Sequence, residues 1–278
     1  MQIQLTIFAH NEEERIAACL DSMPLGRTDC RFTVVVNGST DATADIVRSY
    51  ADRSVECIEF EQGGKSRSWN RFVLEENPQA DLFVFADGDA RFIPGTVNAF
   101  AECVTDLPDV NAFAGLPCNG RRHDHYRALL REEGGIFGDC YALSGRFVER
   151  LRASGVRLPD DLVGDDSLLG ALAATGIGRD ADWDRSRVLV CDEAGFLCDP
   201  TPLTPSGIGG QARRMVNYSV RHFQNRIVSS IMRGEGAHGL PVRVADLYPE
   251  WLERFSPRLN PVWYPFDRAA LKRMAAAA

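Results

Sequence analysis

The chain has 278 residues, 45% of them hydrophobic and 25% charged, the balance of a folded globular protein with enough chain to bury one large core. A net charge of −8 argues against a general nucleic-acid binder, whose affinity rests on clustered Lys and Arg set against phosphates, so any phosphate site must be local. No run approaches the roughly 18 apolar residues of a membrane span, and the opening Met1 to Phe8 lacks a basic leader and a cleavage site. The expectation is a cytoplasmic protein whose only membrane contact would be peripheral. Eight scattered cysteines, without a Cys-x-x-Cys pair or zinc spacing, read as buried, reduced thiols.

In chain order, apolar runs alternate with segments of helical period. Strands are expected at Ile3 to Ala9, Phe32 to Val36, Val55 to Phe60 and Leu82 to Ala86. Helices are expected at Glu12 to Ser22, Ala42 to Ala51 and Ser66 to Glu76. Such alternation predicts an α/β domain with a largely parallel sheet, because parallel neighbours need a crossover. Past Pro94 come a helix to Asp106, a strand from Val110 to Leu116 and a Gly-rich stretch from Gly134 to Gly138. Helical period returns at Phe147 to Ala153, Ser167 to Ala174 and Gln211 to Met232, the last set off by Pro200, Pro202 and Pro205. The tail after Gly239 is rich in Pro and aromatic residues and reads as an ordered wrap.

Ligands of an open α/β sheet bind beyond the carboxyl ends of its strands. Polar groups follow three strands there: His10-Asn11-Glu12, Asn37-Gly38-Ser39-Thr40-Asp41 and Asp87-Gly88-Asp89. Hard divalent cations prefer carboxylate and phosphate oxygens, so Asp87 and Asp89 suit a metal that holds a diphosphate. A solvated turn would have the same composition, and Asn37 to Asp41 also satisfies a turn with a helix N-cap.

Taken in order, Thr6 to Ile16, Val34 to Thr43, Gly64-Lys65-Ser66-Arg67-Ser68-Trp69-Asn70 and Ala86-Asp87-Gly88-Asp89 resemble the signatures of the family-2 glycosyltransferases, a match running over residues 3–95. The resemblance implies a GT-A fold, a Rossmann-like mixed α/β sheet flanked by helices. Its first two loops would hold the nucleotide of a UDP- or GDP-linked sugar, and its Asp-x-Asp element would hold Mn²⁺ or Mg²⁺ and the donor diphosphate. By position, His10, Asn11, Glu12 and Asn37 fall near the base or ribose, Asp41 shapes that loop, Lys65 approaches the donor, and Asp87, Gly88 and Asp89 meet metal and diphosphate. Val36-Asn37 stands where the family often has paired acids, a departure that weakens base recognition by a carboxylate at that point.

Further on, Gly164-Asp165-Asp166 resembles the family's acidic pair beneath the acceptor site, with Asp166 aligned to the catalytic aspartate and Asp165 beside it. Both residues would also serve as helix caps. Gln211-Ala212-Arg213-Arg214 resembles the Gln-x-x-Arg element that puts Arg214 at the leaving diphosphate, and Met215 replaces the Trp typical of processive members. His238, in the Gly-rich run Arg233 to Gly239, is a candidate late metal ligand on a mobile loop.

The resemblance divides the chain into a nucleotide-sugar-binding domain over residues 1–200 and an acceptor-side extension over 201–278. Two motifs fail. Glu59 stands where a P-loop needs Gly before Gly64-Lys65-Ser66, and Gly207-Ile208-Gly209 lacks the strand a dinucleotide fingerprint requires. His123-Asp124-His125, among Arg121, Arg122 and Arg127, reads as a solvated loop. A sugar nucleotidyltransferase would need a Gly- and Arg-rich loop after the first strand, which His10 to Glu13 does not supply. A catalytically silent scaffold is disfavoured by Asp87, Asp89 and Asp166.

Overall fold

Strand β1 (Ile3–Ala9) is buried along its whole length, the signature of a strand covered on both faces. It pairs in parallel with β2 (Cys30–Asn37) on one side and β4 (Leu82–Asp87) on the other, and β2 pairs in parallel with β3 (Val55–Phe60). The connecting helices α1 (Ile16–Asp21), α2 (Thr43–Arg48) and α3 (Lys65–Trp69) are shorter than their apolar periods suggest. After α3 the helix widens into π-helical turns over Asn70–Glu76. There the Asn70 side chain turns to the chain at Leu158, donating to its carbonyl at 2.7 Å and accepting from its amide at 3.1 Å. This computed structural model describes residues 1–199 and 205–278.

The second half of the sheet departs from the parallel expectation. In order come β5 (Ala90–Phe92), α4 (Thr96–Asp106), β6 (Ala112–Pro117), α5 (His123–Glu133), β7 (Cys140–Ser144), α6 (Gly145–Ser154), α7 (Asp165–Thr175) and β8 (Val188–Cys198). The eight strands lie in the order β3-β2-β1-β4-β7-β6-β8-β5, with β7 antiparallel to both β4 and β6, and β5 antiparallel to β8. Strands β6 and β8 are parallel, with an irregularity between Ala114 and Leu116. Gly115 sits at that bulge because a Cβ there would stand 2.4 Å from Cys140 Sγ. The sequence reading misses β5, β7 and β8, and the segment expected as a His-Asp-His loop opens helix α5.

Alternate residues of β4 feed the two faces, as the period of a strand requires. Phe83 and Phe85 join one core with Trp69, Tyr141 and Phe147, whereas Leu82, Val84 and Ala86 join the other with Leu5, Phe32 and Phe113. The long helix α8 (Pro205–Arg233) sends Phe223 and Ile227 into the first core. It is longer than the expected Gln211 to Met232; Pro200 and Pro202 lie outside the described residues. Helices α9 (Tyr248–Trp251) and α10 (Tyr264–Ala275) add Tyr248, Ala270 and Met274 to the same core, so the tail is packed on the sheet domain.

One ion pair fastens this wrap. Asp267 is fully buried and accepts from the Arg258 amide at 2.8 Å and from its guanidinium at 2.8 and 2.6 Å, while that guanidinium lies 4.3 Å from the centre of the Trp263 ring. Burial alone would raise the Asp267 carboxyl, but the Arg258 and Ser219 hydrogen bonds outweigh it and bring the pKa from 3.8 down to about 2. A depressed carboxyl stabilises the fold above its unfolded pKa, and that contribution disappears as pH falls from 3.8 through about 2. Asp267→Asn is therefore expected to cost roughly 1.5–3 kcal/mol at neutral pH, the worth of charge-assisted hydrogen bonds. Urea unfolding of both proteins across pH tests this, with the gap between them closing in strong acid.

Candidate active site

The loops after β1 and β2 are laced together by their own side chains. Asn37 is buried; its side chain donates to the Ala9 carbonyl at 3.0 Å and accepts from the Gly64 amide at 3.3 Å. His10 Nδ1 contacts the Asn37 carbonyl at 2.7 Å, and Asn11 accepts from the Thr40 amide at 2.8 Å. Asp41 accepts from the amides of Glu13 and Thr43 at 3.2 and 3.0 Å. Gly38 needs its positive φ of 63°, and a Cβ there would stand 2.6 Å from Gly63 N. His10, Asn11, Asn37 and Asp41 thus shape one rigid double loop.

Three carboxylates converge where β4 meets β7. Ala86 pairs with Cys140 in that antiparallel ladder, so Asp87, one residue beyond, faces Asp139. Oxygens of Asp87, Asp89 and Asp139 lie within 4.8 Å of one another. Burial, joined by the charges of Asp87 and Asp89, lifts the Asp139 carboxyl from 3.8 to about 7, and burial also raises that of Asp87. Cys198 Sγ, at the end of β8, donates to Asp139 at 3.3 Å. Gly88 is required here, since a Cβ would meet Ala9 at 3.0 Å and Glu12 Cγ at 3.1 Å. Glu12 is lifted to about 7 by burial and by Asp89, and Arg15 bridges the two at 2.5 Å from Glu12 and 3.0 Å from Asp89.

Lys65, the first residue of α3, joins this cluster to a second one. Its ammonium pairs with Asp87 and stands 3.7 Å from Asp165 at the start of α7. Burial opposes the charge, but Asp165 and Asp87 outweigh it and hold the ammonium well above its ordinary pKa. Asp165 is pushed up to about 6, chiefly by burial, against the pull of Lys65. Next to it, Asp166 is buried and pairs with Arg221 of α8 at 3.0 Å. Gly164, at φ 91°, makes room for that guanidinium, because a Cβ would stand 2.4 Å from Arg221 Nε.

All of these acids except Glu12 line one cavity of about 810 Å³, together with Lys65, Arg221 and the aromatic rings of Tyr126, Tyr218 and Trp263. Arg214 also faces it, 3.9 Å from Asp89, whereas Gln211, one turn earlier on α8, is exposed and outside its lining. His238 is not brought to the carboxylates. It lines a different cavity with Arg157, Asp160 and Val242. The glycines that suggested a mobile loop instead fix a tight turn: Gly236 donates to Ile231 at 2.9 Å, and Ala237 donates to Gly178 at 3.0 Å. A Cβ on Gly236 would stand 2.7 Å from Arg179 Cγ. Asp139 holds the third carboxylate position, and Gly134 to Gly138 just before it was the sequence signal that could have found it.

The residues fit a hard divalent cation: three carboxylates lie within 4.8 Å of one another, and even with Lys65 on Asp87 and Arg15 on Asp89, burial keeps the carboxyls of Asp87 and Asp139 raised. Solved structures share the architecture. A mannosyltransferase from Pyrobaculum calidifontis, PcManGT, in complex with GDP-Man and Mn²⁺, is 24% identical with a TM-score of 0.62, covering 100% of this chain and 76% of that one. S. aureus TarS 1-349 in complex with UDP-GlcNAc is 15% identical, with a TM-score of 0.59 and coverage of 100% and 81%. Glucosyl-3-phosphoglycerate synthase from Mycobacterium tuberculosis, in complex with Mn²⁺, UDP and glucosyl-3-phosphoglycerate, is 20% identical, with a TM-score of 0.53 and 79% coverage of each chain. Among curated proteins no sequence matches. At these identities the likeness establishes the fold, which is that of the GT-A glycosyltransferases. The chain belongs to glycosyl transferase family 2, whose model matches residues 5–154, over half of its length. It is a glycosyltransferase.

The raised carboxyls set a pH dependence. A carboxyl whose pKa rises from 3.8 to about 7 on folding favours the fold when protonated, and that contribution is lost as pH climbs through about 7. A cation that binds the deprotonated cluster reverses the loss. Mn²⁺ is therefore expected to raise the melting temperature clearly at about pH 8 and little at about pH 5, and Asp139→Asn should remove most of the shift. Equal shifts at both pH values would count against a carboxylate site.

Proposed function

We propose that the protein transfers a glycosyl group from a UDP- or GDP-linked sugar to an acceptor hydroxyl with inversion, assisted by Mn²⁺ or Mg²⁺. The observation that carries this is a single cavity lined both by a carboxylate triad and by a buried, arginine-held aspartate. Asp87, Asp89 and Asp139 would hold the cation, which neutralises charge on the diphosphate when bound. Arg214, beside Asp89, would meet the departing diphosphate, and Lys65 would keep Asp87 in place. The laced loops at His10 to Glu12 and Asn37 to Asp41 would cradle the nucleoside. Residues 205–278 would complete the acceptor side through α8 and Trp263.

Asp166 is assigned as the base. It accepts the acceptor hydroxyl proton while the oxygen forms its bond to the anomeric carbon and the bond to the diphosphate oxygen breaks, the electron pair leaving with the diphosphate. Arg221, held by Asp166 and by Ser167, fixes one carboxylate oxygen and leaves the other for the proton.

Asp166→Asn keeps the shape but cannot take the proton, so turnover should fall about 10²–10⁴-fold while nucleotide affinity stays near wild type. Arg221→Gln should lower kcat less and leave nucleotide affinity intact. Nucleotide-sugar hydrolysis, which needs no acceptor, reads both effects. Calorimetry of UDP and GDP with Mn²⁺ and with EDTA reads the donor side; equal affinity in EDTA would remove the metal from the proposal, and near-normal turnover by Asp166→Asn would move the base elsewhere.

A further inference from the structure

Large apolar residues on a protein surface are ordinarily isolated. Here Leu259 is 93% exposed, Val262 61% and Tyr264 43%, all within one short stretch leading into α10. The stretch is braced: Asn260 Oδ1 accepts from the Val262 amide at 2.9 Å, and the Asn260 carbonyl accepts from the amides of Trp263 and Tyr264 at 3.1 and 2.9 Å. The ion pair of Arg258 with the buried Asp267 fixes its base. A rigid turn therefore holds Leu, Val and Tyr in water beside Trp263, which lines the active-site cavity.

Charge around the turn is opposite to that of the protein. Arg254 is paired with Glu250 and Arg258 with Asp267, but beyond them Arg268, Lys272 and Arg273 follow with Asp267 the single acid after Glu253. The whole chain carries −8. Tyr264, Arg268 and Lys272 follow at intervals of four on α10 and are all exposed, while Asp267, Ala270 and Met274 form its buried face. One outward helix face thus carries an aromatic ring and two cations directly after the apolar turn.

We propose that this turn and the outer face of α10 dock the protein on an anionic phospholipid surface, placing the mouth of the active-site cavity next to the lipid headgroups. Leu259 and Val262 enter the acyl boundary, Trp263 and Tyr264 sit at headgroup level, and Arg268 and Lys272 meet lipid phosphates. The acidic remainder of the chain is repelled by the same surface, which fixes the orientation. No described helix is long and apolar enough to cross a membrane, so the contact is superficial. A second copy of the chain is a poorer occupant, because a two-fold contact here would bring Arg268 and Lys272 against their own equivalents.

Sedimentation with vesicles of equal parts phosphatidylglycerol and phosphatidylcholine, against vesicles of phosphatidylcholine alone, tests the proposal without reference to sugar transfer. Wild type should partition onto the anionic vesicles and dissociate as salt is raised. Leu259→Ser with Val262→Ser, and separately Arg268→Glu with Lys272→Glu, should each weaken partitioning by at least about tenfold with unchanged melting temperature, since every altered side chain is exposed. Failure of wild type to bind anionic vesicles at low salt, equal binding to neutral ones, or undiminished binding by both double variants would overturn it. So would a dimer in sedimentation velocity that Leu259→Ser with Val262→Ser dissociates.

Discussion

The ammonium of Lys65 is shared by two groups of acids in the cavity. It pairs with Asp87 at the tip of β4 and stands near Asp165 at the start of α7, elements far apart in the chain. Burial, with mutual repulsion added, raises the carboxyls of Asp87, Asp139 and Asp165. A cation fixed among them lets several acids occupy one cleft while remaining poised for another positive charge. Removing one partner of such a buried pair typically costs 3–5 kcal/mol, because the other charge is left uncompensated. Gly138 protects the arrangement, since a Cβ there would stand 2.7 Å from Lys65 Nζ.

Around this link the two halves of the sheet do different work. The parallel half, β3 to β4, ends in loops tied by Asn11, Asn37 and Asp41, so the ends of β1 and β2 are held in one shape before any ligand arrives. The mixed half brings β7 back antiparallel beside β4, and that reversal is what carries Asp139 to Asp87. Helix α8 then closes the other wall, with Arg214 and Arg221 two turns apart on one side of the helix, at Asp89 and Asp166 respectively.

The parallel half was legible in the sequence because each strand is a short, continuous apolar run followed by polar residues. The runs at Ile3 and Leu82 needed no context, whereas Asp87 and Asp89 alone would equally read as a solvated turn, and Lys65, Asp165 and Asp166 were singled out by the family resemblance. Strands β7 and β8 escaped because Cys140-Tyr141-Ala142-Leu143-Ser144 and the run from Val188 to Cys198 lack a clean alternation; their pairing is decided by the sheet they join. Asp139 was missed for the same reason: the Gly134 to Gly138 run marks its neighbourhood, but its role depends on an antiparallel register. His238 misled because glycine permits both a mobile loop and a tight turn, and only the packing against Gly178 and Arg179 separates them.

The chain contains just two lysines, and the structure makes them chemically unlike. Lys65 is enclosed by carboxylates that keep its amine protonated, a form with no lone pair to attack an acylating reagent. Lys272 stands exposed on α10. Amine-directed labels should therefore mark one internal position, Lys272, alongside the N-terminal amine, which gives a natural attachment point for a fluorophore or tether on α10 without any engineered cysteine.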